Sequence, residues 1–319
     1  MINQCLYGDC RELLRTLPEN SVHCVVTSPP YFGLRAYLPD GHPDQSFELG
    51  REGTPEDYVR NLVAVFRGVR RALHPSGVVW LNIGDTYAAN RSYQVADNKH
   101  CDVGNHAAMR VPTGLKPKDL MMIPARVALA LQADGWWLRS EVVWCKGNAL
   151  PESVQDRPTT ATEKVFLLTK SAAYFYDYFA VRETGSNSNR NLRNFWLINT
   201  QSYSGSHFAT MPRRLAEIGI LAGTSERGCC VRCGNPVKRI VETGLKAHDG
   251  ATDSAYQVGS SANRLALLRQ AARAQGQEYA PQPRTVGWEA TCTCQADTVP
   301  CVVLDPFSDQ EQLEKSHRI

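Results

Sequence analysis

No stretch of this sequence is apolar for long enough to span a membrane as a helix, which excludes a helical membrane protein. The opening residues, MINQCLYGDC, lack a basic segment followed by an apolar one. No export signal is therefore expected, and a cytoplasmic location with no membrane partner follows. Charge of one sign is also lacking. Lys and Arg number 35 against 32 Asp and Glu, a net charge of +3 over 319 residues. That balance permits a nucleic-acid partner without demanding one. Internal repeats and low-complexity tracts are absent, so a repeat array is excluded. Cysteine, by contrast, is plentiful at eleven. In a cytosolic chain these are expected to be thiols or metal ligands before disulfides. The length suits one large α/β domain or two smaller ones.

The first 182 residues alternate in texture. Residues 3–8 predict a short strand, RELLRTLP a helix, and HCVVT a buried strand. Thr54-Pro55-Glu56-Asp57 has the form of a helix start: a capping threonine, proline at the first turn, then acids. The amphipathic run EDYVRNLVAVFRGVRRAL follows and ends at HPSG. VVWLNIGD reads as a strand, residues 88–116 as a long polar loop, and KDLMMIPARVALALQADG as a helix. WWLRSEVVWCK and EKVFLLTK are the next strands. Such alternation predicts a doubly wound, mostly parallel sheet. MPRRLAEIGILAGTS is a further helix, SSANRLALLRQAARAQGQ another, and CVVLDPF a last buried strand.

The strand HCVVT runs straight into Ser28-Pro29-Pro30-Tyr31. In doubly wound sheets ligands lie beyond the carboxyl ends of strands. Two prolines lock φ and remove two backbone donors, leaving a stiff loop with outward carbonyls. Such a loop suits accepting hydrogen bonds from an exocyclic amine, with Tyr31 stacking on the ring that bears it. The plainer alternative is a Pro-Pro turn with a surface tyrosine.

TSPPY resembles the catalytic motif of the DNA amino-methyltransferases, which methylate N6 of adenine or N4 of cytosine. The resemblance extends over most of the chain, in the order of the permuted group whose catalytic half precedes its cofactor half. It implies a circularly permuted, doubly wound Rossmann-like methyltransferase sheet. It further implies S-adenosyl-L-methionine as cofactor, double-stranded DNA with a flipped target base as substrate, and a cognate restriction endonuclease as partner. By that resemblance Ser28, Pro29, Pro30 and Tyr31 form the catalytic loop. Ser28 and the Pro29 carbonyl hold the amine, Tyr31 stacks on the base, and no covalent intermediate is needed. Asp9, Phe208, Pro212, Asp305, Pro306 and Phe307 are the implied cofactor contacts, with Leu215 beside them. Asp9 also reads as a helix cap, and Phe208 and Leu215 as core residues. A carbon-5 cytosine enzyme needs a nucleophilic cysteine, and no Pro-Cys stands in a suitable setting, since Pro300-Cys301 opens the last strand. Methylation of protein or RNA by similar folds favours asparagine before the prolines, where this chain has serine. The serine form of the motif is commoner among the cytosine-N4 members.

Cys230-x-x-Cys233-Gly and Cys292-x-Cys294 have the spacing of two zinc knuckles, and four thiolates suit a structural tetrahedral site. Four free core thiols are the alternative, and Cys229 is an alternative first ligand. Cys5, Cys10, Cys24, Cys101 and Cys145 lack ligand spacing. Arg190, Arg193, Arg213, Arg214, Arg264 and Arg269 are candidates for phosphate contacts, or a solvated basic face. The expected layout is a catalytic half at 1–182, then a linker and cofactor-packing helix at 183–228. A small zinc-ribbon-like target-recognition insertion at 229–296 and the first cofactor strand at 297–319 complete it. One departure stands out. After Leu304-Asp305-Pro306-Phe307-Ser308 the family has a glycine-rich turn, whereas this chain reads Asp309-Gln310-Glu311-Gln312. On that ground a truncated cofactor half is expected, with weak cofactor binding, a strand lost between the first strand and VVLDPF, and an inactive DNA-binding relic as the alternative.

Overall fold

The structure, a computed structural model, describes residues 4–34, 37–38, 41–88, 114–185, 189–201, 211–242 and 283–307. Five helices or helical turns and twelve strands are found among them. The sequence VHCVVT forms β1 (Val22–Thr27), buried along its whole length. Its neighbours are β2 (Leu73–Ile83) on one side and β12 (Val303–Leu304) on the other, both parallel to it. Beyond β2 come β4 (Thr162–Thr169), β3 (Trp137–Cys145) and β7 (Phe195–Leu197), giving the order β12-β1-β2-β4-β3-β7. All run in one direction except β4, which is antiparallel to both β2 and β3. The sheet is therefore mixed at its β3–β4 end, the one departure from a purely parallel reading. The expected gap next to β12 is not there: β12 pairs directly with β1, Cys24 opposite Val303 and Val25 opposite Leu304.

Helices on both faces explain why the strands read as unbroken apolar runs. On one face Val25, Val79, Leu81 and Ile83 pack with α1 (Cys10–Thr16), α2 (Pro55–Ala72) and α3 (Ile123–Ala133). On the other, Cys24, Val26, Val78 and Trp80 pack with Leu215, Ile218 and Ala222 of α4 (Arg213–Gly223). Leu215 is thus core. The α2 start is as read: the Thr54 hydroxyl accepts from Asp57 N at 3.1 Å, and Pro55 occupies the first turn. One strand reading and one helix reading shift. Residues 4–9 form no strand, because Asp9 already caps α1. Likewise α3 begins only at Ile123, because Met122 takes a left-handed conformation (φ 56°) and Asp85 Oδ1 accepts the Ile123 N–H at 3.0 Å.

The cysteine-bearing segment forms two small ladders. β8 (Cys229–Cys230) pairs with β11 (Thr298–Val299), and β9 (Val237–Glu242) with β10 (Arg284–Ala290), both antiparallel. Several polar contacts attach it to the rest of the chain. Arg239 of β9 is paired with the buried Asp177 at 3.0 Å and with Glu226 at 2.8 Å, and its guanidinium lies over the Trp288 ring at 4.3 Å. His23 of β1 and His74 of β2 stack, with ring centroids 5.4 Å apart. Their Nε2 atoms reach Gly234 O at 2.9 Å and Cys233 O at 3.1 Å. Val302 N donates to His23 Nδ1, so Nε2 carries the proton that bonds Gly234 O.

α4 lies close enough to the sheet to need glycine. A Cβ at Gly223 would come within 2.6 Å of Cys24 Sγ and Val78 Cγ2, and one at Gly219 within 3.0 Å of Val26. Gly223→Val is expected to cost about 1–3 kcal/mol or more through overpacking, read as a lowered urea midpoint. Asp177→Ala, which leaves Arg239 without its buried partner, is expected to cost about 3–5 kcal/mol by the same measurement.

Candidate active site

The carboxyl end of β1 delivers Ser28-Pro29-Pro30-Tyr31 beside the ends of β2, β3 and β12 and the start of β4. Pro29 is buried, and Ser28 and Tyr31 are half-buried. The loop is clamped at several points. Tyr58 Oη of α2 donates to Pro30 O at 2.9 Å, and Gly33 N donates to Gly50 O at 2.8 Å. Gly50 (φ 88°) packs so closely that a Cβ there would meet Tyr31 O at 2.9 Å. The Pro29 carbonyl, by contrast, receives no donor among the described residues.

Tyr31 is held in a polar chain that the sequence reading missed. Ser28 Oγ donates to Tyr31 Oη at 3.2 Å, and Tyr31 Oη donates to Glu163 Oε2 at 2.5 Å. Asn82 Nδ2, from β2, donates to the same oxygen at 2.9 Å, and Lys146 pairs with Glu163 Oε1. The Lys146 ammonium also lies 4.9 Å above the Trp144 ring. Burial, and then the Glu163 charge, push the Tyr31 phenol well above its usual range. The signal available in the sequence was an acid at the head of an otherwise apolar strand, TEKVFLLT, which nothing local ties to Tyr31. Glycine again permits the approach: a Cβ at Gly84 would lie 2.6 Å from the Tyr31 ring.

The DPF turn at the end of β12 meets this loop. Thr27 Oγ1 donates to Asp305 Oδ1 at 2.5 Å, and Phe307 N donates to the same atom at 3.0 Å. Among the described residues no donor reaches Asp305 Oδ2. Crowding by protein atoms raises this carboxyl to about 6, although the residue keeps a face to solvent at the strand end. Phe307 packs against the first-face core, and Pro306 is half-buried. Asp9 lies elsewhere, capping α1. Its carboxylate is gripped by Arg11 Nε at 2.9 and 3.1 Å and accepts Arg11 N at 2.8 Å, which lowers it below the usual range. Pro212 is the buried residue before α4. Phe208, Cys101, Arg264, Arg269 and the residues after 307 lie outside the described residues.

The four knuckle cysteines converge. The Sγ atoms of Cys230, Cys233, Cys292 and Cys294 all lie within 4.8 Å of one another. Backbone N–H groups of Cys233 and Arg232 aimed at the Cys230 sulfur lower its thiol to about 7. Cys229 belongs elsewhere, grouped with Cys301 and His23. The candidate arginines are largely committed: Arg190 and Arg193 to Glu183 at 2.6 Å, and Arg213 and Arg214 to Glu217 at 3.0 and 3.5 Å.

Gly84→Ala tests the packing of the loop. It is expected to push the Tyr31 ring off β2 and to cost about 1–3 kcal/mol in urea unfolding. An unchanged midpoint would show that the ring is not held there.

Known proteins resemble the chain over this same region. A family model described as DNA methylase, of the N6/N4 class, matches residues 22–231. The Type II methyltransferase M.SmaI of Serratia marcescens is 45% identical over 229 residues, 70% of this chain and 76% of that protein. M.Cfr9I of Citrobacter freundii is 48% identical over 219 residues, 68% and 71% of the two chains. Among solved structures, the cytosine-N4-specific PvuII DNA methyltransferase is 20% identical with a TM-score of 0.47, covering 68% of each chain. With its mixed sheet and the Ser-Pro-Pro-Tyr loop at the end of β1, the chain belongs to the N6/N4 DNA methylase family.

Proposed function

We propose that this chain transfers a methyl group from S-adenosyl-L-methionine to N4 of a specific cytosine in duplex DNA, as the modification partner of a restriction endonuclease. The observation that carries the reading is the Pro29 carbonyl. It has no donor among the described residues, and it follows the Ser28 hydroxyl and precedes the Tyr31 ring in a clamped loop. An exocyclic amine has two N–H groups, and these two oxygens accept them. The nitrogen lone pair is then left to point away from the loop. A base can reach this position only when flipped from the duplex, which costs a few kcal/mol of stacking and pairing. Alignment and electrostatics then supply the rate. The serine in first position, where an acid or amide is the alternative, favours cytosine N4 over adenine N6.

The cofactor supplies an activated methyl on a sulfonium. The chain's part is to hold it, and the position beyond the adjacent parallel ends of β1 and β12 suits that task. Asp305 Oδ2 is an acceptor there without a donor among the described residues, and Phe307 offers an apolar wall. Asp9, Pro212 and Pro306 are the further proposed contacts, Asp9 while it also caps α1. The assembled catalytic loop favours an enzyme over an inactive DNA-binding relic. We further propose that residues 229–296 form a zinc-ribbon-like insertion that takes part in target recognition. Sulfurs on a tetrahedral zinc stand about 3.8 Å apart at Zn–S distances of about 2.3 Å, so the thiol cluster needs only small rotations to close on the ion.

Mass spectrometry of nucleosides from DNA incubated with the chain and cofactor is expected to show N4-methylcytosine. N6-methyladenine would overturn the base assignment, and neither product would overturn the enzyme reading. Ser28→Ala is expected to lower the turnover rate about 10²-fold while leaving the calorimetric affinity for the cofactor unchanged. Elemental analysis is expected to find zinc in the purified chain, depleted in Cys230→Ser and Cys292→Ser together with a fall in melting temperature.

A further inference from the structure

We propose that Ser28, Tyr31 and Glu163 form a one-way proton relay that removes the proton lost by the target amine during methylation. The proposal rests on the methyl-transfer reading above. What points to it is the direction of the hydrogen bonds. Ser28 Oγ donates to Tyr31 Oη, and Tyr31 Oη donates to Glu163 Oε2, so the chain begins at the amine-binding hydroxyl and ends on a carboxylate. The terminus is built, not incidental. Glu163 stands at the head of the antiparallel strand β4, reached by Asn82 of β2 on one oxygen and by Lys146, just after β3, on the other. The Glu163 side chain is 12% exposed and that of Lys146 24%, so the pair leads from the enclosed loop towards solvent. Tyr58, the other nearby phenol, is occupied with Pro30 O and takes no part.

The chemistry balances. The amine nitrogen attacks the sulfonium methyl, forming N–CH3 and breaking S–CH3, and the sulfur keeps the electron pair. As the N–C bond forms, the nitrogen still holds both its hydrogens and positive charge grows on it. It is strongly acidic, because losing a proton restores conjugation with the ring. One proton passes to Ser28 Oγ as the Ser28 proton passes to Tyr31 Oη and the Tyr31 proton passes to Glu163 Oε2. Ser28 and Tyr31 are neutral before and after, and Glu163 gains the proton. The shift is concerted with N–C bond formation, so it lowers the barrier to methyl transfer itself. A tyrosinate never forms, in keeping with surroundings that hold the phenol protonated.

Glu163 could instead serve only to orient the Tyr31 ring, and Glu163→Gln separates the two roles. Glutamine still accepts the Tyr31 hydrogen bond but cannot take the proton. Single-turnover methylation of a duplex oligonucleotide at saturating cofactor is expected to slow about 10²-fold, with KM for DNA and calorimetric cofactor affinity unchanged. The solvent deuterium isotope effect on that rate is expected to disappear in the variant, and Glu163→Asp to recover part of the rate. Tyr31→Phe keeps the ring and breaks the relay, so it should lose the isotope effect as well, and it serves if Glu163→Gln does not fold. An active wild-type chain with Glu163→Gln within threefold of it, isotope effect intact, overturns the relay alone. A wild-type chain that transfers no methyl group overturns the relay together with the reading beneath it.

Discussion

β1 pairs in parallel with β12 across nearly the whole length of the chain, Cys24 beside Val303 and Val25 beside Leu304. Nearly everything in the site depends on that register. It sets the end of β1, with Thr27 and Ser28, beside the end of β12, with Asp305. Thr27 Oγ1 then reaches Asp305 at 2.5 Å. Shifting β12 by one residue would turn Asp305 to the opposite face of the sheet. The pairing closes a very long loop, and the loss of chain entropy must be offset by burial elsewhere. Much of that burial lies nearby, where α4 sits on Cys24 and Val78 through Gly223.

A second constraint is the sign of β4. As the one antiparallel strand among those described in this sheet, it presents its first residues, not its last, to the end that carries the Ser-Pro-Pro-Tyr loop. That puts Glu163 level with the ends of β2 and β3 and within reach of Tyr31, Asn82 and Lys146. A parallel strand at that place would offer its other end, Lys170. The Ser-Pro-Pro-Tyr loop and the reversed strand are thus one arrangement: stiffness from Pro29 and Pro30, and orientation from Glu163.

Among the described residues, polar contacts tie the cysteine-bearing segment to the rest of the chain. Arg239 with Asp177, and the two stacked histidines with the knuckle carbonyls, carry the attachment. Polar ties of this kind fix orientation more than they add stability, because burying them costs desolvation that the pairing only offsets. They hold the thiol cluster next to the strand that leads into the DPF turn, since Val231 N bonds Asp297 O and Val302 N bonds His23.

Local physics was legible from the residues alone. The apolar run VHCVVT, the Thr54-Pro55 helix start, the Pro-Pro loop and the paired cysteine spacings are each decided within a few neighbours, by burial, capping, fixed φ and ligand reach. The family motif and the order of its parts were legible by resemblance. Residues 4–8 and 118–122 depart from the expected strand and helix, because Asp9 capping α1 and Asp85 bonding Ile123 N outweigh the local pattern. What only the tertiary structure decided is which distant groups meet: Glu163 with Tyr31, Asn82 with Glu163, Arg239 with Asp177, and Cys230 rather than Cys229 with the other knuckle thiols. Strand order, strand direction and the side of the sheet to which a residue turns set those encounters, and none of them is a property of a short stretch of sequence.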